Sequence, residues 1–264
     1  MTTVGLYVPG DRPERFDKAA ASGADLVVID LEDAVAHRAK AEARTRACAW
    51  AAQYAGPDRV ALQIRVNAGD EDDLRAVAGL PADVGVRVPK VEGVSDIEVV
   101  ARRAPGHPVI PLLETARGVL AAAEIAAHPA VAELALGEND LRSELGGGDP
   151  VIDHARVAIV YAARAADLPA PMLSAYPAIA DIEGLMADTR RGAAFGLFGR
   201  MAVHPTQIPA IASVFRPSAA DQAWAREVVA AVDAEGGVTR LADGQMVDAA
   251  MLGRARRIIS RVGG

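Results

Sequence analysis

The chain has 264 residues, of which 51% are hydrophobic, a length that fits one (β/α)8 barrel of roughly 250 residues. Lys and Arg number 28 against 35 Asp and Glu, a net charge of −7, which excludes a protein whose main role is to wrap nucleic acid or anionic membrane. No apolar run reaches the roughly 18 to 20 residues that cross a bilayer, and MTTVGLYVPGDRPERF lacks the cationic and apolar segments of an export leader, so a cytoplasmic protein without membrane contact is expected.

The single cysteine, Cys48, excludes an intrachain disulfide and a cysteine-based zinc site. In chain order, short β-branched runs alternate with longer Ala-rich stretches of helical period. Strand Val4 to Val8 leads to strand Asp25 to Leu31 and helix Val35 to Gln53. Strand Arg59 to Val66 precedes helix Asp70 to Ala78, strand Gly85 to Val91 precedes helix Ser95 to Ala104, and strand Pro108 to Leu113 precedes helix Arg117 to Ala127. Strand Val131 to Gly137 is followed by helix Pro150 to Ala166, strand Pro171 to Ala175 by helix Ile179 to Ala194, and strand Leu197 to Val203 by helix Pro205 to Val214. Eight such units predict an α/β fold, a (β/α)8 TIM barrel over residues 1–216. A doubly wound open sheet is the weaker alternative, because no G-x-G-x-x-G follows the first strand. Residues 217–264 read as a C-terminal helical extension of the same domain. It holds a helix Pro217 to Ala234 with Ser218 as N-cap, then the Gly-broken loop GGVTRLADGQMVDAA and a last helix. Packing on a neighbouring subunit and simple terminal packing are both open to it.

In a barrel of this kind the site lies where strands end. Those ends carry Asp30, Glu32 and Asp33, then Arg65 and Asn67, Lys90, Glu114, the run Glu138, Asn139 and Asp140, and His204. Glu114 and Asp140 close successive strands, so their carboxylates are expected to be near neighbours. They either share a divalent cation of the Mg²⁺ type or pair with Arg65 or Arg117. Glu32 and Asp33 either accept from waters around that cation or cap the second helix. Arg65 suits bidentate capture of a carboxylate or oxyanion, with a salt bridge to Asp30 or Glu32 as the alternative. Lys90 reads as ion-paired, with Schiff-base chemistry as the minor alternative, and His204 as structural. Arg12, Arg15 and Lys18, at the opening turn of the first helix, form either a phosphate cradle or a solvated basic face.

Taken together, LYVPGDRPERFDKAAASGADLVVIDLEDAV, IRVN, VPKVE, LLETARGVLAAAEIA, LGENDLRSELGG, MAVHPTQI and GQMVD resemble, in order and over nearly the whole chain, the citrate lyase beta-subunit-like branch of the HpcH/HpaI aldolase family. That branch includes malyl-CoA and citramalyl-CoA lyases. The resemblance implies a Mg²⁺-dependent lyase on a modified TIM barrel, trimeric or hexameric. It would cleave a malyl-CoA-like or citramalyl-CoA-like 3-hydroxyacyl thioester into a 2-oxo acid and acetyl-CoA. It assigns Glu114 and Asp140 as metal ligands, Arg65 as the substrate-binding arginine and Asp248 as an acid/base inserted from a neighbouring subunit. More weakly, it places Arg12 and Lys18 near the nucleotide phosphates of coenzyme A. Two departures bear on selectivity: Arg200 stands where relatives often carry lysine, and Ser174 where an aspartate is expected. The alternatives are a CoA-independent class II pyruvate aldolase, a subunit of an acyl-carrier citrate lyase complex, and a non-catalytic partner in such a complex.

Overall fold

Apolar runs bounded by glycine and proline extend as strands, and the Ala-rich stretches between them wind as helices over the sheet. In the computed structural model, which describes residues 2–54, 56, 59–235, 238–241 and 243–260, the chain divides into two compact units, Thr2–Val214 and Phe215–Gly264.

The first unit begins with β1 (Val4–Pro9), α1 (Phe16–Ala20), β2 (Leu26–Asp30), α2 (Lys40–Tyr54), β3 (Ala61–Arg65) and α3 (Glu71–Val77). It continues through β4 (Gly85–Val88), α4 (Val94–Arg103), β5 (Val109–Leu113), α5 (Ala116–Leu120), α6 (Ala122–Ala126) and β6 (Ala135–Leu136). It ends with α7 (Glu138–Leu145), α8 (Asp149–Ala165), α9 (Ile182–Ala194), β7 (Arg200–Ala202) and α10 (Ile208–Phe215). The strands form one curled parallel sheet of seven, in the order β6-β5-β4-β3-β2-β1-β7. β2, β4 and β5 are buried along their whole length, as strands covered on both faces are.

Several predicted elements are corrected. Pro171 to Ala175 is not a regular strand but is reduced to isolated bridges. Met172 and Leu173 make isolated parallel bridges to Ala135 and Arg200, touching both edge strands of the sheet. The strand predicted from Val131 shortens to β6, with one bridge left at Val131. The helix predicted over Arg117 to Ala127 breaks at Ala121 into α5 and α6. Helix α7 escaped the sequence reading, so Glu138 and Asp140, expected where the sixth strand ends, lie in the first turn of a helix.

The second unit holds α11 (Ala219–Glu235), the antiparallel pair β8 (Thr239–Arg240) and β9 (Met246–Val247), and α12 (Ala249–Ser260). Ala225, Val228, Val232, Leu241, Val247, Ala255 and Ile258 form its own core. The loop expected between these helices includes Gly236, Gly237 and Ala242, which lie outside the described residues. No helix among the described residues is long and apolar enough to cross a membrane.

Candidate active site

Parallel pairing puts side chains at matched positions on the same face of neighbouring strands. Asp30 on β2 is in register with Arg65 on β3, and Arg65 with Arg87 on β4. Gln63 and Tyr7 sit two residues back along their strands, on that same inner face. Tyr7, Asp30, Arg65 and Arg87, with Glu114, Asp140 and Ser174 among others, line a cavity of about 390 Å³. The strand-end position expected for the site is therefore where the cavity opens.

Glu114 follows β5 directly and is only 3% exposed. Its Oε1 accepts the Lys90 backbone N–H at 2.8 Å. Lys90 offers that N–H from a left-handed backbone conformation, φ 55°, uncommon for a residue with a side chain. Burial pushes the Glu114 carboxyl up to about 7, helped by the negative charges of Glu32 and Asp140 and opposed by the Lys90 N–H and Arg65. Gly137 is needed beside it: a Cβ there would stand 2.5 Å from Glu114 Oε2. Asp140, exposed in the first turn of α7, faces the same cavity, and the helix N-terminus favours its charge. Among the described residues no group of three or more His, Cys, Asp or Glu is arranged to hold a metal. Glu114 and Asp140 could offer two carboxylate ligands, a number that suits a hard cation keeping water and substrate oxygens in its shell.

Arg65 is clamped. Its Nε and Nη2 donate to the two oxygens of Asp30 at 2.7 and 2.6 Å, and its Nη1 stands 2.9 Å from Glu32 and 3.2 Å from Asp33. Its guanidinium also lies over the Tyr7 ring at 5.3 Å. Burial by itself would weaken the proton's hold, but the hydrogen bonds and charge of Asp30 raise the guanidinium well above its ordinary value. Of the two sequence readings of Arg65, the salt bridge to Asp30 and Glu32 is the one observed. Asp30 also caps the turn after β2, accepting from Glu32 N and Ala34 N. Glu32 and Asp33 do not cap α2, because the loop to Lys40 separates them from it; Glu32 instead stands between Arg65 and Lys90, 3.6 Å from Lys90 Nζ.

The Lys90 side chain is 56% exposed and 3.6 Å from Glu32, the ion-paired reading of the sequence rather than an enclosed Schiff-base lysine. His204 caps the turn before α10 through Nδ1, a structural role as expected. Arg12 and Lys18 are exposed and do not line the cavity. Asp248 belongs to the second unit, where its Oδ1 accepts the Ala250 N–H at the start of α12. Ser174 donates to the Leu136 carbonyl and accepts from Glu138 N, bracing the start of α7. Arg200 is buried, ion-paired with Asp188 at 2.8 Å and hydrogen-bonded to Thr189. Asp188 shares Arg156 with Glu138, so a buried charge network lies next to the cavity wall.

Sequence reasoning missed Tyr7, Gln63, Arg87 and Arg156. For the first three the signal was a polar residue recurring on the inner face of otherwise apolar strands.

The Glu114 carboxyl holds its proton more tightly folded than unfolded. This group therefore favours folding most below its ordinary 4.5, and that contribution is lost as pH rises through about 7. With chelator present, the thermal midpoint of the wild type should carry a falling component between pH 5 and 8 that Glu114→Gln removes. Melts of both proteins across that range check it; parallel curves would contradict it.

The chain is similar to known proteins over nearly its whole length. Residues 3–205 match the family model "HpcH/HpaI aldolase/citrate lyase". The chain is 39% identical to a citrate lyase subunit beta-like protein of Mycobacterium tuberculosis, over 98% of this chain and 94% of that one. It is 36% identical to a (3S)-malyl-CoA thioesterase of Cereibacter sphaeroides, over 97% and 93% of the two chains. The crystal structure of Mycobacterium tuberculosis CitE in complex with magnesium, acetoacetate and coenzyme A is 38% identical and superposes with a TM-score of 0.84, covering 100% of this chain and 98% of that one.

Proposed function

Because the chain belongs to the HpcH/HpaI aldolase/citrate lyase family, we propose that it is a Mg²⁺-dependent carbon–carbon lyase acting on a malyl-CoA-like or citramalyl-CoA-like thioester, with a 2-oxo acid and acetyl-CoA as products. The observation that carries this reading is the buried Glu114 carboxyl at the end of β5, facing the same cavity as Asp140 in the first turn of α7 and held up by that neighbour's negative charge, an arrangement a cation would relieve. The seven-stranded sheet and the bridged pair Met172–Leu173 support a (β/α)8 barrel as its frame.

Glu114 and Asp140 would hold the metal. Bound there, Mg²⁺ supplies a Lewis acid and a template for the oxygens of a 2-oxo or 2-hydroxy acid. Arg65, held rigid by Asp30, places a positive charge at the cavity wall, where oxyanion charge is stabilised without reorganisation. Asp248 is the proposed proton exchanger at the thioester α-carbon, delivered from a neighbouring subunit of a homotrimer or hexamer, an assignment that rests on the GQMVD resemblance. Arg12 and Lys18 are proposed to meet the phosphates of coenzyme A. A cytoplasmic location fits substrates of this kind.

A mass-spectrometric assay of CoA thioesters tests the function. Acetyl-CoA and an oxo acid should form with Mg²⁺ and cease with chelator; turnover that survives complete chelation defeats the proposal. The thioesterase among the relatives favours a second reading, hydrolysis after or instead of cleavage, and free CoA with an intact hydroxy acid would identify it. Asp248→Asn should bind Mg²⁺ and CoA like the wild type yet lose turnover by about 10²-fold or more. Mixing it with Arg65→Ala subunits should restore part of the activity if the aspartate acts across a subunit boundary. Absence of rescue, with both variants folded and assembled, would instead favour a site built within one chain.

A further inference from the structure

The inner faces of the strands line the cavity in two tiers. Glu114 and Gly137 belong to the upper one, where β5 and β6 end. Two residues back along the same strands, and so on the same face, stand Leu112 and Ala135, paired in register. Met172, bridged to Ala135, and Met201 on β7 also line the cavity. All four are buried, none more than 4% exposed. Leu112 and Ala135 belong to one apolar cluster and Met172 and Met201 to another, so the cavity meets apolar core on both sides below the Glu114 carboxyl. Elsewhere the lower tier is polar, where Arg87 donates to the Tyr7 hydroxyl.

An apolar recess under a charged mouth offers a carboxylate nothing, and it favours every methylene that leaves water to enter it. Coenzyme A is far larger than a space of about 390 Å³, so a thioester substrate must keep its carrier outside, which leaves the closed end to the substituent of the oxo acid. We propose that Leu112, Ala135, Met172 and Met201 form an alkyl subsite, a specificity determinant for 2-oxo acids whose chains are longer than the methyl of pyruvate. The matching thioester carries that alkyl group on its hydroxylated carbon, an assignment that rests on the lyase reading above. Ala135, the smallest of the four side chains, leaves the room, and the unbranched thioethers of Met172 and Met201 adjust to what fills it.

Titration calorimetry on the Mg²⁺-loaded protein with pyruvate, 2-oxobutyrate and 2-oxovalerate, which differ only by methylenes, tests it. Affinity should rise about fourfold with each methylene. An affinity that stays flat or falls along the series overturns the proposal. Ala135→Leu fills the recess and should weaken 2-oxovalerate about tenfold while pyruvate stays within about twofold. Equal weakening of all the acids, or no change, overturns the proposal. Should Ala135→Leu fail to fold, Ala135→Val decides, since its branched side chain suits a strand: an unchanged 2-oxovalerate-to-pyruvate ratio overturns the proposal, a reduced one supports it. If none of the acids binds the loaded wild type, the lyase reading itself falls and the subsite with it. Pyruvate binding without any gain from the longer chains overturns the subsite alone.

Discussion

Glu114→Gln is expected to reduce Mg²⁺-dependent kcat/KM by about 10³-fold or more, because a neutral amide replaces one of the two carboxylates proposed to hold the cation. The same change should leave the metal-free protein as stable as the wild type near pH 5 and more stable at pH 8. There the native carboxyl, held up near 7 by burial and by Glu32 and Asp140, must ionise in an unfavourable place. Opposite signs for activity and stability are the mark of a residue positioned against the needs of the fold. Calorimetric Mg²⁺ titration alongside the kinetics separates metal loss from other damage: a variant that binds Mg²⁺ with wild-type affinity would remove Glu114 from the metal site. Gly137→Ala should displace the same carboxylate, because the added methyl would occupy the space of Oε2.

Arg65→Ala is expected to cost far more stability than a surface change. It leaves Asp30, which is 3% exposed, and Glu32, which is 6% exposed, without their shared cation. Removing one partner of a buried ion pair typically costs about 3–5 kcal/mol, which for a chain of this size lowers the melting midpoint by about 10 °C. Adding Asp30→Asn to Arg65→Ala should recover part of the loss, since the double variant no longer buries the unpaired Asp30 charge. A midpoint within about 2 °C of wild type would show that water or another cation reaches these carboxylates. The experiment also weighs the two roles of Arg65: a stability loss that Asp30→Asn relieves, with activity still absent, assigns the arginine to the reaction as well as to the clamp.

How much of this was legible beforehand follows the range of the interactions involved. The βα rhythm reports burial on both faces, a local property of each strand, and so β2 to β5 fall inside their predicted runs while β1 exceeds its own by Pro9 alone. The seventh predicted strand came down to isolated bridges at Met172 and Leu173, whose partners Ala135 and Arg200 lie far away in sequence. Helix α7 was hidden because its sequence, ENDLRSEL, carries little apolar periodicity. It is set instead by Gly137 and by acidic residues in the first turn, where the helix dipole favours them.

The chain's order of residues determined that ionisable groups close apolar strands, that Glu114 and Asp140 lie on the same face of the fold, and that the series of motifs belongs to one family. Tertiary structure alone decided which opposite charges meet. Register between β2 and β3 binds Arg65 to Asp30, and register with β4 sets Arg87 on the same inner face. Only burial then distinguishes the two, because one guanidinium is enclosed with carboxylates and the other with neutral acceptors. A charge's partner across a sheet depends on strand alignment and on exclusion of water, and neither is written in the spacing of residues along one strand.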